Sequence, residues 1–269
     1  MGLNATLATA GRSLEVFSAG VQVAGQNIAN ASTPGYIREE LQLEAAPPYR
    51  AGNLIFGTGV LAAGVQQQID LFLETRLHTA TSNLEASRAR ESIFQQLEGE
   101  LRELGEQDLS TSLNRFLGAL QDLTNQPELA VNRQLVIAAG RQLAADIVAL
   151  RSQIDALREQ QTLKVDLLVA EANELVDEIA RLNPQIVQLE AAGLRDSDAG
   201  ALRTQRYIAL NRLSEIIPIR FVERPDGSVE VFSGSDFLIL GGTVQHLETT
   251  TGVDRGVLVQ TVQLSRTNS

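Results

Sequence analysis

Few residues in this chain have the types and spacing that catalysis or metal binding requires. The sequence of 269 residues contains two histidines and no cysteine. His78 falls in a predicted helix without a neighbouring nucleophile, and His246 falls in a predicted strand without a second ligand at metal-binding spacing. We interpret both histidines as surface or packed residues, and we predict no catalytic residue, no metal site and no cofactor.

Motifs for nucleotide binding and covalent catalysis are missing from the sequence as well. The chain contains no P-loop, no G-x-G-x-x-G fingerprint and no G-x-S-x-G nucleophile elbow. Its net charge is −11, whereas nucleic-acid binding depends on cationic contacts to phosphate. These observations favour a protein that is not an enzyme and that has no nucleic-acid partner.

The strongest pattern predicts a contact surface in the first 28 residues. Apolar residues recur there at alternating steps of four and three, the spacing of a helix that packs along a partner. Before Arg38, the only charged residues are Arg12 and Glu15, so most of the remaining helix surface is small and neutral. We predict an interface helix whose subunit-interface residues are Leu3, Leu7, Ala10, Leu14, Phe17, Val21, Ala24 and Ile28.

A turn is predicted directly after this helix. Pro34 cannot continue a helix, and Asn30 tolerates the left-handed conformation that ends one. The segment from Thr33 to Tyr36 places proline and glycine at the two central positions of a type II turn. Gly35 is therefore expected to have a positive φ.

These residues resemble the N-terminal signature of the bacterial flagellar axial proteins, the rod, hook and hook-associated family. The family pattern, N-x-x-N-x-x-T-x-G-Y-x-R, falls here on a signature turn made of Asn27, Asn30, Thr33, Pro34, Gly35, Tyr36 and Arg38. Residues 57–60, 64–66 and 70–73 resemble a second block of the family. Gln67 departs from that block, because arginine is common at this position, and the departure weakens any contact inherited there.

The resemblance implies a structural protein located in the extracellular bacterial flagellum. Its implied partners are further copies of itself in a helical or ring assembly, hook subunits, a second junction protein or filament subunits, and an export chaperone. The sequence has no charged region followed by a short apolar stretch at its start, and no long uncharged apolar run. We therefore predict no membrane span and, as the resemblance implies, type III export without a cleaved signal peptide.

Three segments are predicted along the chain. Residues 1–65 are predicted to contain a heptad helix, a turn and an extended region, and their net charge is only −1. The resemblance implies that they are an N-terminal polymerisation segment. Residues 66–217 form a helical body, with helices predicted over 66–105, 109–126, 127–192 and 201–217. Pro184 predicts a kink in the long helix. The predicted heptad positions of this helix include Glu171, Leu175, Glu178, Leu182, Ile186 and Leu189, and the polar ones either set the register or mark a partly open side. Residues 218–269 alternate with period two and form an apparently truncated β-rich segment.

The predicted fold class is mainly α, with an interface helix, an elongated helical bundle or coiled-coil body and a small β-rich C-terminal part. The resemblance implies that rod and hook subunits continue in β-rich modules, so the helical body favours a subunit that joins the hook to the filament by self-assembly. The alternatives are another rod or hook subunit and a non-enzymatic coiled-coil adaptor. Family members generally return with a second heptad helix, and residues 218–269 lack that period, which leaves the partner of the interface helix open.

Overall fold

The computed structural model describes residues 3–101, 108–191 and 199–265. Most of these residues are helical, and the helices are α1 (Leu3–Ala29), α2 (Leu71–Leu101), α3 (Leu109–Asn125), α4 (Ala130–Ala191) and α5 (Gly200–Ile216). The strands before the helical body are β1 (Glu39–Ala45), β2 (Tyr49–Ala51), β3 (Leu54–Phe56) and β4 (Val60–Gln67). Those after it are β5 (Arg220–Glu223), β6 (Val229–Ser233), β7 (Asp236–Leu240), β8 (Thr243–Val244), β9 (Leu247–Asp254) and β10 (Val257–Leu264). The predicted fold class, mainly α with a β-rich C-terminal part, is confirmed.

Contacts divide the chain into two compact units. Unit 1 contains residues 1–83, 169–251 and 261–269, and unit 2 contains residues 84–168 and 252–260. The helices α2 and α4 each contribute residues to both units. Each of the two units combines residues from more than one of the three segments predicted from the sequence. The division into three segments therefore stays a proposal about assembly.

The core of unit 1 joins the second half of α4, α5 and a four-stranded antiparallel sheet of order β5-β6-β7-β8. Its fully buried side chains combine one face of α4 with leucines of α5 and the inner face of the sheet. They include Val176, Ile179, Leu210, Leu213, Val231, Leu238 and Ile239. Burying aliphatic groups of this size is the main source of stability in a domain.

Two asparagines of α4 attach this helix to the beginnings of strands. The side-chain amide of Asn183 donates to the carbonyl oxygen of Val229 at 2.8 Å and accepts from its N–H at 3.1 Å. Asn173 makes the same two bonds to Leu247, at 2.9 and 2.8 Å. Each side chain therefore pairs with the first residue of a strand, β6 or β9, as a peptide group of a neighbouring strand would.

The N-terminal part of unit 1 is a helix packed on a hairpin. β1 and β4 pair antiparallel with seven residue pairs, from Glu39 opposite Gln67 to Ala45 opposite Val60. β2 and β3 form a second, shorter hairpin within the connection between them. The extended region predicted over residues 39–65 is confirmed, and its last strand continues to Gln67.

Unit 2 is built from parts of α2, α3 and α4 and from the tip of the β9–β10 hairpin. Asp108 caps α3 by accepting from the N–H of Thr111 at 2.6 Å. Ser112 donates to Asp146 of α4. Among the described residues of this unit, Ser112 is the only one that is buried. The apolar side chains that the structure describes in this unit therefore all retain partial exposure.

The helices differ from the sequence prediction in where α2 and α4 begin and in the buried face of α4; α4 begins at Ala130 rather than at residue 127. α2 begins at Leu71 rather than at residue 66, because Gln66 and Gln67 still pair with β1 and Asp70 caps the helix by accepting from the N–H groups of Phe72 and Leu73. The predicted end of α2 at residue 105 lies outside the described residues, as does the loop over 193–198.

The buried face of α4 also differs in part from the prediction. The heptad prediction is confirmed at Leu182 and Ile186, which are fully buried, and is wrong at Leu189, which is 59% exposed. Glu171 and Glu178 stay partly exposed, and the structure buries Ala172, Val176 and Ile179 beside them. Burying a carboxylate costs more than burying a methyl group, so the helix turns its neighbouring aliphatic positions toward the sheet. The helix continues through Pro184.

Candidate assembly surface and signature turn

One face of α1 is occupied by the chain's own β1–β4 hairpin. Val16 is 7% exposed on this face. A β-carbon at Gly20 would lie 3.7 Å from Cδ2 of Leu41 in β1, and one at Gly59 would lie 3.0 Å from Cγ2 of Thr9. Small side chains therefore allow the helix and the hairpin to approach closely.

The predicted stripe lies on the other side of α1 and is open to solvent. Leu14 is 71% exposed and Phe17 is 68% exposed, although both are large apolar side chains. Leu3 begins the helix, and its side chain lies outside the described residues. The remaining predicted interface residues, all exposed, are Leu7, Ala10, Val21, Ala24 and Ile28. A contiguous exposed apolar surface of this kind is typical of an interaction site.

The predicted turn has the geometry of type II. The N–H of Tyr36 donates to the carbonyl oxygen of Thr33 at 3.2 Å, and Gly35 has a φ of 76°. Pro34 lies between them at the position where its fixed φ is favourable. Asn30 accepts from the hydroxyl of Thr33 at 3.3 Å, so the residues of the motif bond to one another.

Asn27 connects the end of α1 to the start of β1. Its amide donates to the carbonyl oxygen of Glu39 at 2.8 Å and accepts from the N–H of Glu39 at 2.9 Å. The hydroxyl of Tyr36 also donates to Oδ1 of Asn27 at 3.0 Å. Burial, and then the negative charge of Glu39, raise the pKa of Tyr36 above its ordinary value, so the phenol keeps the proton that it donates.

The signature turn also contacts the helical body of unit 1. A β-carbon at Gly35 would lie 2.6 Å from Cγ1 of Ile208 in α5, so only glycine allows this approach. Gln67 donates to the carbonyl oxygen of Gly200 at 2.9 Å and to the hydroxyl of Thr204 at 3.0 Å. Arg38, in contrast, is exposed and lies 3.6 Å from the carboxylate of Glu40.

The role of Gln67 was not predicted from the sequence. Its departure from the family pattern suggested a weakened contact, whereas its amide joins the end of β4 to the first turn of α5. No local pattern reveals this pairing, because the two segments are separated by more than 130 residues.

A charged cluster stabilises the packing of α4, α5 and the β5–β6 hairpin. Arg203 binds both carboxylate oxygens of Glu190, at 2.6 and 3.0 Å, and also contacts Glu223. Arg206 donates to Asn183 at 3.0 Å and to the carbonyl oxygen of Gly227 at 2.7 Å. Burial lowers the pKa of Arg206 to about 10, which still leaves it charged at neutral pH.

The two histidines contact other side chains of unit 1. His78 is buried, with Nε2 2.5 Å from Oδ1 of Asn211 and its ring near those of Tyr207 and Phe221. Nε2 of His246 lies 2.8 Å from a carboxylate oxygen of Asp177. Within residues 3–101, 108–191 and 199–265, His, Asp and Glu form no group of three or more able to hold a metal ion. Among the helices described, none is sufficiently long and apolar to span a bilayer.

Comparisons with known proteins agree with the sequence signature. "Flagellar hook-associated protein 1" of Bacillus subtilis is 27% identical over 223 residues, which cover 80% of this chain and 43% of the relative. The protein of the same name from Escherichia coli is 24% identical over 236 residues, covering 87% of this chain and 43% of the relative. The chain thus spans less than half the length of these relatives.

A solved structure shares the fold. The structure of the flagellar hook junction protein FlgK from Burkholderia pseudomallei superposes with a TM-score of 0.59 and 20% identity, covering 72% of this chain and 34% of that one. A family model described as "Flagellar hook-associated protein FlgK helical domain" matches residues 94–269. Because that match spans well over half of the sequence, the chain belongs to the family of the FlgK helical domain.

Proposed function

We propose that this protein is a structural subunit of the bacterial flagellum that joins the hook to the filament by self-assembly. The observation that carries the proposal is that the two faces of α1 have different surroundings. One face packs on the β1–β4 hairpin, and the face with Leu14, Phe17 and Val21 is apolar, charge-poor and exposed. Family membership supports the choice of the junction over the rod or hook.

The proposed partners are further copies of the chain, hook subunits and a second junction protein or filament subunits. The proposed location is the extracellular flagellum, reached by type III export with an export chaperone and without cleavage of a signal peptide. The proposed mechanism consists of binding alone, with no catalytic step. Contacts that repeat from one subunit to the next need two different surfaces on each copy, and such contacts build helical or ring assemblies.

The test is a charge on each face of α1. Leu14→Glu places a carboxylate on the exposed stripe, so the thermal unfolding of the purified chain should not change. Incorporation into flagella should be lost, because assembly would bury that charge. Cells that express only this variant should release filament subunits into the medium without retaining filaments.

A matched control is Val16→Glu, on the opposite face of the same helix. This carboxylate would be buried against the β1–β4 hairpin, so the variant should lower the unfolding temperature of the purified chain. Attached filaments in cells that express Leu14→Glu would contradict the junction proposal and favour the adaptor function. Normal filaments in cells that lack the protein altogether would contradict it as well.

A further inference from the structure

Glu39 is a buried acidic residue whose carboxylate lies against a helix of the body. It is the first residue of β1, and it is 9% exposed. A β-carbon at Gly200, the first residue of α5, would lie 2.9 Å from Cδ of Glu39 and would overlap its Oε1. Burying a carboxylate is costly unless its charge is compensated. The N-terminus of a helix carries a partial positive charge, so this position compensates part of the charge of Glu39.

The sequence of α5 supplies no negative charge at its own N-terminus. Its N-cap residue is Ala199, which makes no side-chain cap, and its first turn contains no acidic residue. The N–H of Ala199 donates to Glu190 of α4 at 2.9 Å, and Glu39 reaches the residue that follows. In α3, by contrast, the N-cap residue Asp108 caps its own helix. The N-terminus of α5 therefore receives its negative charge from other elements.

Gln67 reaches the same residue of α5 from the neighbouring strand. It lies directly opposite Glu39 in the β1–β4 ladder, so the two side chains lie on the same face. Its amide donates to the carbonyl oxygen of Gly200 at 2.9 Å and to the hydroxyl of Thr204 at 3.0 Å. Both residues of this pair thus contact the start of α5. We call Glu39 and Gln67 the α5 clamp.

The clamp is connected to α1 through the backbone of Glu39. The side-chain amide of Asn27 bonds to both the N–H and the carbonyl oxygen of Glu39. Gly35, between α1 and β1, approaches Ile208, which lies eight residues beyond Gly200 in α5. Eight residues of helix span about 12 Å, so the N-terminal elements meet α5 at two separated points. Two such contacts fix a direction, whereas one contact allows rotation.

We propose that Glu39 is a positioning residue for assembly. Its carboxylate caps α5 from another element, and together with Gln67 it holds α1 and the β1–β4 hairpin in one orientation on α5. A subunit that repeats along an assembly needs its surfaces at a fixed angle, because each surface must meet a neighbour. This inference rests on the proposed function, since it gives the clamp a role in incorporation into flagella.

The next pair of the same ladder provides a matched control. Glu40 lies opposite Gln66, so the two residue types of the clamp recur one position along each strand. Side chains alternate between the two faces of a strand, so this pair lies on the face opposite to the clamp. Both of its side chains are exposed. Substitutions at Glu40 and Gln66 therefore change the same groups without touching α5.

Spin-label distances test the orientation in the purified chain. The chain has no cysteine, so Ala62→Cys on β4 and Gln205→Cys on α5 give two exposed labelling sites. With the clamp intact, the two labels should give one narrow distance distribution. Adding Glu39→Ala should broaden that distribution, whereas adding Glu40→Ala should not. Equal widths with and without Glu39→Ala would overturn the proposal, because a cap that only stabilises α5 leaves the hairpin in place.

Glu39→Gln tests the capping charge, since it keeps the shape of the side chain. Hydrogen exchange of the amides of residues 204–208 should become about two- to thirtyfold faster, the range for loss of a helix cap. Amides near Ile179 in the core of unit 1 should keep their protection, which shows that the variant is folded. Unchanged protection of residues 204–208 would overturn the capping of α5 by Glu39.

Retention in flagella tests the role of the clamp in assembly. Glu39→Ala should lower the amount of the protein in purified flagella by about fivefold or more, because losing a buried charged contact reduces the fraction of correctly oriented subunits. Gln67→Ala should also lower it, whereas Glu40→Ala and Gln66→Ala should leave it unchanged. An equal loss for Glu40→Ala would overturn the proposal, because it would trace the effect to net charge.

The two proposals fail in different ways. If the unsubstituted chain is absent from purified flagella, the proposed function fails, and the role of the clamp in assembly fails with it. If the unsubstituted chain is present and Glu39→Ala is retained in full, the role of the clamp fails and the proposed function stands.

Discussion

Gly35 combines two constraints at one residue, a positive φ and a contact with another element. Its φ of 76° disfavours any side chain, and Cγ1 of Ile208 occupies the space of a β-carbon. Gly52 has a similar φ of 64° with open space around it. A comparison of the two glycines therefore distinguishes the cost of a positive φ, which both have, from the cost of a steric clash, which only Gly35 would have.

Substitution by alanine should show this difference. Gly52→Ala should lower the free energy of unfolding by about 1–2 kcal/mol, the cost of the left-handed conformation. Gly35→Ala should cost more, and Gly35→Val should also prevent incorporation into flagella. Urea unfolding of the purified variants measures the first effect. Equal costs for the two alanine variants would show that Ile208 moves away freely.

Glu190 makes the stability of unit 1 dependent on pH. Burial alone would raise its pKa, but the hydrogen bonds from Arg203 and from the N–H of Ala199 outweigh burial and hold the pKa below its ordinary value of 4.5. The carboxylate is therefore more acidic in the folded chain than in the unfolded chain. Its contribution to stability is complete above the unfolded pKa and is lost as the pH falls through the folded pKa.

We expect Glu190→Gln to lower the free energy of unfolding at pH 7 by about 2 kcal/mol, because Arg203 loses a charged acceptor. The loss should shrink as the pH falls below 4.5, since protonation then removes the same charge from the unsubstituted chain. Glu85→Gln, in an exposed ion pair on α2, is the control and should change stability little at any pH. A constant loss between pH 7 and pH 3 would contradict the assignment.

Two apolar positions of α4, one buried and one exposed, give a direct test of the register of this helix. Ile179→Ala should cost about 2–5 kcal/mol, as expected for truncation of a fully buried aliphatic side chain. Leu189→Ala should cost less than about 1 kcal/mol, because Leu189 is largely exposed. Thermal unfolding of both variants would show which of these two positions of α4 belongs to the core.

Much of the element order could be predicted from the sequence, because periodicity and stop signals are local. The helix before Asn30, the turn at Pro34 and Gly35, and the short helix capped by Asp108 all follow from residues close in sequence. The buried face of α4 was predicted only in part, because the heptad positions Leu182 and Ile186 are buried but Val176 and Ile179, which lie outside the heptad series, are buried too. Two overlapping apolar patterns run along that helix, and the sheet that selects between them lies about 50 residues further along the chain.

The candidate surface was also predicted only in part, because sequence patterns report local structure and not tertiary contacts. The exposed stripe and the signature turn follow from spacing, although their role in assembly remains a prediction. The contacts that fix the turn to the body, from Gln67 to α5 and from Gly35 to Ile208, depend on tertiary structure. The Asp70 cap was available in the sequence, and reading it as a cap would have placed the start of α2 correctly.

The two units differ in how completely they bury apolar side chains. The fully buried aliphatic residues among those described belong to unit 1, and α4 contributes residues to both units. We expect amides near Ile179 to exchange with solvent at least about 100-fold more slowly than amides near Leu143, although both lie in one helix. Hydrogen exchange on the purified chain measures this difference. Uniform protection along α4 would show that burial within this chain does not control local opening.

The pairing of Glu39 with Gln67 has a mechanical consequence. These residues form the end of the β1–β4 ladder at which the chain enters from α1 and leaves toward α2. A force that pulls α1 away from α5 would therefore separate the ladder one pair at a time, which is the direction of least resistance. The amide of Asn27 bonds to Glu39 and the amide of Gln67 bonds to Gly200 of α5, so both hydrogen bonds lie next to the first pair of the ladder and we expect them to break first. Gln67→Ala should then lower the rupture force in single-molecule pulling, whereas a substitution at the far end of the ladder should leave that force unchanged.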